Sequence, residues 1–266
     1  MRLPGLLALA LVFACCSAGG RETSATAAVD QPYIWIPAPG TTWQWQLTGE
    51  IDGSYDVDMY DIDLFETPVE SIARLQGQGR IVICYFSAGS VEDWRPDAEQ
   101  FPPDVIGLPL EGWPDESWLD ISQIHAIAPV LRSRFDLAVE KGCDGVEPDN
   151  VEAHLNRTGF DISGDDQLVF NRWLVDEAHA RGLSIGLKND LRQAGDLVGW
   201  FDWILVEQCV EFDECSEVEP FVSAGKAAFG AEYSLSPVVA CPVAREAGIA
   251  MLFKDPDLSA PTTTCP

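Results

Sequence analysis

Positive charge is what this 266-residue sequence has least of: 16 Lys and Arg stand against 43 Asp and Glu, for a net charge of −27. Nucleic-acid backbones demand lysine and arginine, so that class of partner is excluded. Histidine is almost as scarce, with only His125, His154 and His179, and no C-x-x-C pair occurs, which removes the usual zinc sites. An oxygen-ligated ion through Asp61 and Asp63 is the remaining metal option; no metal and no cofactor are expected. A serine-hydrolase elbow is missing, because Phe86-Ser87-Ala88-Gly89 lacks the first glycine and no histidine ends a strand. Gly77-Gln78-Gly79 lacks the third glycine of a dinucleotide fingerprint and precedes a strand rather than following one. Behind the first residues, no apolar run is long enough to span a bilayer.

The chain does have an export-type start. Met1-Arg2 followed by the apolar stretch Leu3 to Phe13 reads as a secretory signal. Val12-Phe13-Ala14-Cys15 resembles a bacterial lipobox, which would make Cys15 an acylated first residue; plain cleavage is the alternative, and Phe13 and Cys16 fit a lipobox poorly. Residues 1–30 are thus expected to be a signal peptide or lipoprotein leader with a flexible tether, and residues 31–266 one domain. The product would be secreted or a cell-surface lipoprotein, tethered to the membrane through the lipid in the second case, and monomeric. Cys84, Cys143, Cys209, Cys215, Cys241 and Cys265 remain behind the leader, an even number that suggests disulfides in an exported chain. Cys209 with Cys215 and Cys241 with Cys265 are the simplest local pairs, leaving Cys84 with Cys143.

Strand and helix patterns alternate along the rest. Strands are expected at residues 42–47, 55–64, 81–86, 144–150, 184–188, 203–207, 226–233 and 249–254, several of them near-continuous apolar runs of the kind buried on both faces of a parallel sheet. Helices are expected after Thr67, as an N-cap with Pro68 at the first position and Glu70 in a capping box; from Pro129, with Leu131, Phe135, Ala138 and Val139 on one stripe; and after Ser163, with Phe170, Leu174 and Ala178. Shorter helical segments fall near residues 191–198, 217–223 and 239–247. Residues 90–120 read as one long irregular loop holding Trp94, Trp113 and Trp118, a length that usually signals a lid or binding wall. Eight strands with helices between them predict an α/β fold, a single-domain (β/α)8 TIM barrel.

In such barrels the site lies at the carboxyl ends of the strands. Those ends carry Gln46, Asp61 and Asp63, Tyr85 and Ser87, Glu147 and Asp149 with Asn150, Lys188, Glu207, Tyr233 and Lys254. Four acidic strand ends with tyrosine and lysine between them suit glycosidic bond cleavage, which needs one carboxyl to protonate the leaving oxygen and another to attack or stabilise the anomeric carbon.

The strings Trp43-Gln44-Trp45-Gln46-Leu47, Tyr60-Asp61-Ile62-Asp63-Leu64, Cys84-Tyr85-Phe86-Ser87-Ala88-Gly89, Gly142 through Asn150, and Glu207-Gln208-Cys209 together resemble glycoside hydrolase family 114, whose members are TIM-barrel endo-α-1,4-polygalactosaminidases. The resemblance spans roughly residues 41–265. It implies cleavage inside galactosamine-containing chains by an acid pair on the fourth and sixth strands, here Asp149 and Glu207. By analogy with retaining glycosidases, Asp149 is the expected nucleophile and Glu207 the general acid/base, with Glu147 as the rival or as a buried barrel acid. Asp61, Asp63, Tyr85, Glu147, Asn150, Lys188 and Tyr233 are the expected substrate contacts; Trp45, Trp94 and Trp113 are the candidate sugar platforms. A cationic or partly acetylated amino-sugar polysaccharide is the expected partner, its amines lying beside Asp61 or Asp63. The alternative is a surface barrel that binds polysaccharide without cutting it.

Overall fold

Alternation along each strand decides which side chains fill the barrel and which face its helices. The computed structural model describes residues 34–266; the leader, with the lipidation candidate Cys15, lies outside the described residues. Twelve strands and six helices follow one another as β1 (Trp43–Gln46), β2 (Met59–Asp63), α1 (Val69–Gly77), β3 (Ile81–Ser87), β4 (Ser90–Glu92), β5 (Ile106–Leu110), β6 (Trp113–Leu119), α2 (Ile124–Lys141), β7 (Gly145–Asp149), α3 (Gly164–His179), β8 (Ser184–Lys188), α4 (Ala194–Leu197), β9 (Trp203–Glu207), α5 (Glu219–Ser223), β10 (Ala228–Glu232), α6 (Pro237–Ala247), β11 (Ile249–Phe253) and β12 (Thr263–Thr264). Strands β1, β2, β3, β7, β8, β9, β10 and β11 pair in that order, each parallel to the next, as a TIM-barrel-like curled sheet.

The seam between first and last strands departs from a simple ladder. β12 runs antiparallel along the outer edge of β11, with Leu252 opposite Thr264 and Phe253 opposite Thr263, so that edge is not free for β1. The seam is bridged by side chains and the C-terminal tail instead: Trp43 Nε1 donates to Ala250 O at 2.9 Å, Gln44 Nε2 to Ala260 O at 2.7 Å, and Leu47 N to Leu258 O at 2.9 Å.

Inward residues build the barrel interior in layers. Trp43, Trp45, Met59, Ile83, Trp203, Leu205, Phe229 and Leu252 form the apolar lower part, with Phe229 edge-on to Trp203 at 5.6 Å. Outward residues of the same strands, such as Ile62, Val82, Val146, Ile185, Ile204 and Val206, pack beneath the helices in a second, larger cluster with Phe135, Phe170 and Leu174. Gly186 is required by this packing, since a Cβ there would lie 2.3 Å from the Trp203 ring. Above the apolar layer the inward positions turn acidic and basic, which is where the site begins.

Disulfides join Cys84 to Cys143, Cys209 to Cys215 and Cys241 to Cys265. The first ties β3 to the segment entering β7. Helix α3 carries the capping box of Ser163 and Asp166, and Phe170, Leu174 and Ala178 are buried as the spacing predicts. Four local expectations change. Pro68, not Thr67, is the N-cap of α1, and no side chain caps it, because Thr67 is buried with its carbonyl accepting from Lys141 Nζ at 2.8 Å. Helix α2 begins at Ile124, so Pro129 sits inside it; the start signal is Asp120, which accepts from Ser122 N ahead of a 3-10 turn running into the helix. Val139 is exposed rather than on the buried stripe. Residues 90–120 are not an irregular loop either: β4, β6 and β5 form a small antiparallel sheet.

Candidate active site

Strand register lifts the acidic residues to one level. Tyr85 of β3 pairs with Glu147 of β7 and Ser87 with Asp149, while Lys188 of β8 stands beside Leu205 of β9, one inward step below Glu207. Alternation then points Glu147, Asp149, Lys188 and Glu207 into the barrel mouth. Lys188 is the hub. Its Nζ donates to Asp149 Oδ1 at 3.1 Å and stands 3.1 Å from Glu147 Oε1 and 3.0 Å from Glu207 Oε2. The ammonium also lies 4.8 Å from the Trp45 ring centroid, and Trp45 Nε1 donates to Glu147 Oε2 at 3.1 Å.

Each acid of the outer pair has further donors. Tyr85 OH donates to Asp149 Oδ2 at 3.2 Å. Glu207 accepts from the Tyr233 hydroxyl and, at 3.3 Å, from Asn189 Nδ2, while Asn189 Oδ1 accepts from Glu207 N at 3.0 Å. Burial alone would lower the Lys188 pKa, but the charges of Asp149, Glu147 and Glu207 outweigh it and raise the pKa well above the usual lysine value. The tyrosines shift the same way: burial and the Asp149 charge raise Tyr85, and burial and the Glu207 charge raise Tyr233, so both stay protonated as donors.

One proton is trapped below this layer. Asp61 is fully buried, no donor reaches either of its oxygens, and burial together with the Glu147 charge raises its pKa well above the carboxylate range. Burial raises Glu147 as well, to about 7, against the pull of the Lys188 charge, and Trp45 Nε1 donates to its other oxygen. Asp61, expected among the substrate contacts, is not exposed to the cavity. Asp63 does line the mouth, but Arg95 holds both of its oxygens, at 3.0 and 2.6 Å, and Phe65 N and Glu66 N donate to Oδ1. Oδ1 is thereby saturated, while Oδ2 keeps one acceptor position beside Arg95. Lys254 turns to the C-terminal tail, donating to Pro261 O at 3.1 Å.

The mouth opens into a cavity of about 1030 Å³ lined by Tyr85, Asp149, Asn150, Lys188, Glu207 and Tyr233, among others. The small β4–β6–β5 sheet forms one wall. Two buried arginines moor it: Arg95 bridges Asp63 and Glu92, and Arg134 of α2 holds Asp97 through paired contacts of 2.8 Å while donating to Ser87 O at 2.6 Å. A chain of hydroxyls links that wall to the mouth, from Asn150 Nδ2 to Ser87 Oγ at 2.9 Å, to Ser90 Oγ at 2.6 Å, to Glu116 Oε2 at 2.9 Å. Gly89 permits this, since a Cβ there would meet Asn150 O at 1.8 Å. Burial, with help from the Glu92 charge, pushes Glu116 up to about 7.

Trp94 and Trp113 project from the wall into the cavity, 51% and 55% exposed, as sugar platforms would. Trp45 lines the cavity floor beneath Lys188 and is fully buried there. Phe212, 59% exposed across the loop after β9, is a third aromatic that the sequence did not reveal. Sequence reasoning also missed Arg95, Glu116 and Glu152. The available signal for Glu152 was the turn chemistry behind the strand ends: Asn150, Asn189, Asp190 and Gln208 all have left-handed backbones, with φ of 62°, 49°, 44° and 54°, and such non-glycine positions gather at functional sites.

Comparison with known proteins places the chain in a family. No curated protein sequence matches the chain. Among solved structures, Aspergillus fumigatus Ega3 in complex with galactosamine is 39% identical, with a TM-score of 0.84 over 88% of this chain and 98% of that one. The glycoside hydrolase domain of Pseudomonas aeruginosa PelA shares the fold at 13% identity, with a TM-score of 0.64 over 84% of this chain and 97% of that one. The family model for glycoside-hydrolase family GH114 matches residues 23–266, and the chain belongs to that family of glycoside hydrolases.

Proposed function

We propose that this glycoside hydrolase is exported and cuts internal α-1,4 linkages of galactosamine-containing polysaccharide, with Asp149 as nucleophile and Glu207 as general acid/base. The observation that carries the reading is the single ammonium of Lys188 between the two acids, at the floor of an open cavity with aromatic walls. Because Asp149 Oδ1 and Glu207 Oε2 each lie within about 3 Å of one nitrogen, they are no more than about 6 Å apart. That favours retention, for which the carboxyls stand about 5–5.5 Å apart, over inversion, which needs roughly 6.5–9.5 Å to admit a water.

In the first step Glu207 gives its proton to the glycosidic oxygen as Asp149 forms a bond to the anomeric carbon and the leaving chain departs. In the second, Glu207 takes a proton from water, whose oxygen displaces Asp149 and releases the second product. Lys188 and Tyr85 hold Asp149 in place through hydrogen bonds, and Tyr233 fixes Glu207. The side chain of Glu207 is 25% exposed, so it reaches both the leaving oxygen and incoming water. Ega3, 39% identical, is seen with galactosamine, which supports an amino sugar as the substrate unit.

Export is supported by three disulfides, which form and persist in oxidising compartments. We place the leader in residues 1–30 ahead of a catalytic domain at 31–266; the mass of the mature N-terminus distinguishes acylation at Cys15 from plain cleavage. Reducing-end release from galactosamine polymers by the purified protein tests the activity. Asp149→Asn and Glu207→Gln should each lower turnover by about 10²–10⁴-fold or more without lowering the melting temperature. Near-normal turnover in either variant would move its role to Glu147.

A further inference from the structure

Two further acids on the β7–β8 side of the mouth each keep a buried carboxylate oxygen without a hydrogen-bond donor. Asn150 and Asn189 turn the chain outward after those strands, and the turns bring Glu152 and Asp190 to the cavity wall. Asp190 is 1% exposed; Asn171 Nδ2 holds its Oδ2 at 3.0 Å, which fixes the carboxyl and leaves Oδ1 with no hydrogen-bond partner. Its nearest ion-pair partner is His154 Nδ1 at 3.9 Å, beyond hydrogen-bond reach. Glu152 is half-buried, and its Oε2, sealed from solvent, is equally unpartnered. Arg192 also lines this side but is exposed, and among the described residues it makes no ion pair with either acid.

Buried acceptors without donors are costly, so this side of the cavity is built for a donor that arrives from outside. The position says where that donor sits. Glu152 and Asp190 line the same cavity as Asp149 and Glu207, and the charge of Asp149 acts on Glu152. Burial holds both groups up at about 8, as expected of acids waiting for a cation. A primary ammonium carries three N–H donors and a positive charge; a sugar hydroxyl offers one donor and no charge, and an N-acetyl group offers one donor with added bulk.

We propose that Glu152 and Asp190 form the ammonium subsite of this enzyme, accepting from the C2 ammonium of an unacetylated galactosamine unit seated beside Asp149 and Glu207. This rests on the galactosamine reading above and names its specificity-determining residues. The role expected of Asp61 and Asp63 thereby passes to two acids on the other side of the mouth, where acceptors are free.

The test compares kcat/KM of the full chain on fully deacetylated and N-acetylated α-1,4-galactosamine oligosaccharides, with melting temperature as the check on folding. Glu152→Gln and Asp190→Asn keep the shape of each side chain and remove its charge. Each should lower the deacetylated-to-acetylated ratio by about tenfold or more, the loss expected of one charge-assisted hydrogen bond. Calorimetric binding of galactosamine against galactose gives the same comparison without turnover, and the wild-type preference for the amine should shrink equally in both variants. A ratio and a preference unchanged in both variants would overturn the proposal and make the pocket a water site only, as would equal losses on both substrates, which mark a purely structural role. If the wild type cuts galactosamine chains while the variants keep their selectivity, the subsite alone falls. If the wild type cuts neither polymer and binds galactosamine no better than galactose, the functional reading falls and takes the subsite with it.

Discussion

Lys188 shows how one residue sets the character of the site. It is almost fully buried, and its single charge faces Glu147, Asp149 and Glu207 at about 3 Å each. Replacing it by methionine would keep the volume and leave Glu147 and Asp149 without their cation in a dry place. Breaking a buried ion pair from one side costs about 3–5 kcal/mol, so Lys188→Met should lower stability by that order in urea unfolding and abolish turnover together. An unchanged unfolding midpoint would show that the three acids do not depend on it. The strand-end rule was enough to find Lys188, Asp149, Glu207, Tyr85 and Tyr233, because alternation tells which residues point inward. It could not separate Asp61 from Asp149, since depth in the barrel and closeness to Glu147 depend on strand register, which no local pattern carries.

Among elements, the contrast between barrel strands and the wall explains what was legible. Ser184–Lys188 and Trp203–Glu207 were readable to the residue as short runs ending in a charge. The wall strands were not, because β5 contains Pro109 and β6 contains Pro114, and proline within a run argues against a strand. Those strands are held by pairing with each other and by arginine contacts from distant sequence, neither of which leaves a periodic trace. The start of α2 was missed for a related reason: proline signals a first turn, and the cap at Asp120 was the quieter cue. If Arg95 moors the wall, Arg95→Lys should loosen it, because lysine cannot make the forked contacts to Asp63 and Glu92 at once. The expected loss is about 1.5–3 kcal/mol, read as faster proteolysis between residues 90 and 120 and a higher KM with kcat less affected. Unaltered proteolysis would show that the wall stands without that residue.

For the whole molecule, buried acids tie stability to pH. Glu116, Glu152 and Asp190 are raised by burial to about 7, 8 and 8, while in the unfolded chain they release protons near 4.5, 4.5 and 3.8. Between those limits the folded state binds more protons than the unfolded one, so their contribution is full below about pH 4 and is lost as pH rises through about 7–8. The melting temperature of the unreduced protein should therefore decline from about pH 5 to pH 8, and Glu116→Gln with Asp190→Asn should flatten the decline. A melting temperature that climbs across that window would contradict the assignment of these groups. The fold class itself was legible because eight strand patterns alternate with helices, whereas the β12 seam was not: two threonines near the end of the chain carry no strand signal of their own.

The central claim is that Asp149 and Glu207 cleave α-linked galactosamine chains by double displacement, and proton NMR of the first product formed tests it most directly. A defined α-1,4-galactosamine oligosaccharide is mixed with the enzyme and the new reducing end is followed before mutarotation sets in. The account predicts that the α anomer appears first, the outcome that the distance limit set by Lys188 favours. A β anomer appearing first, or no new reducing end at all, would contradict it.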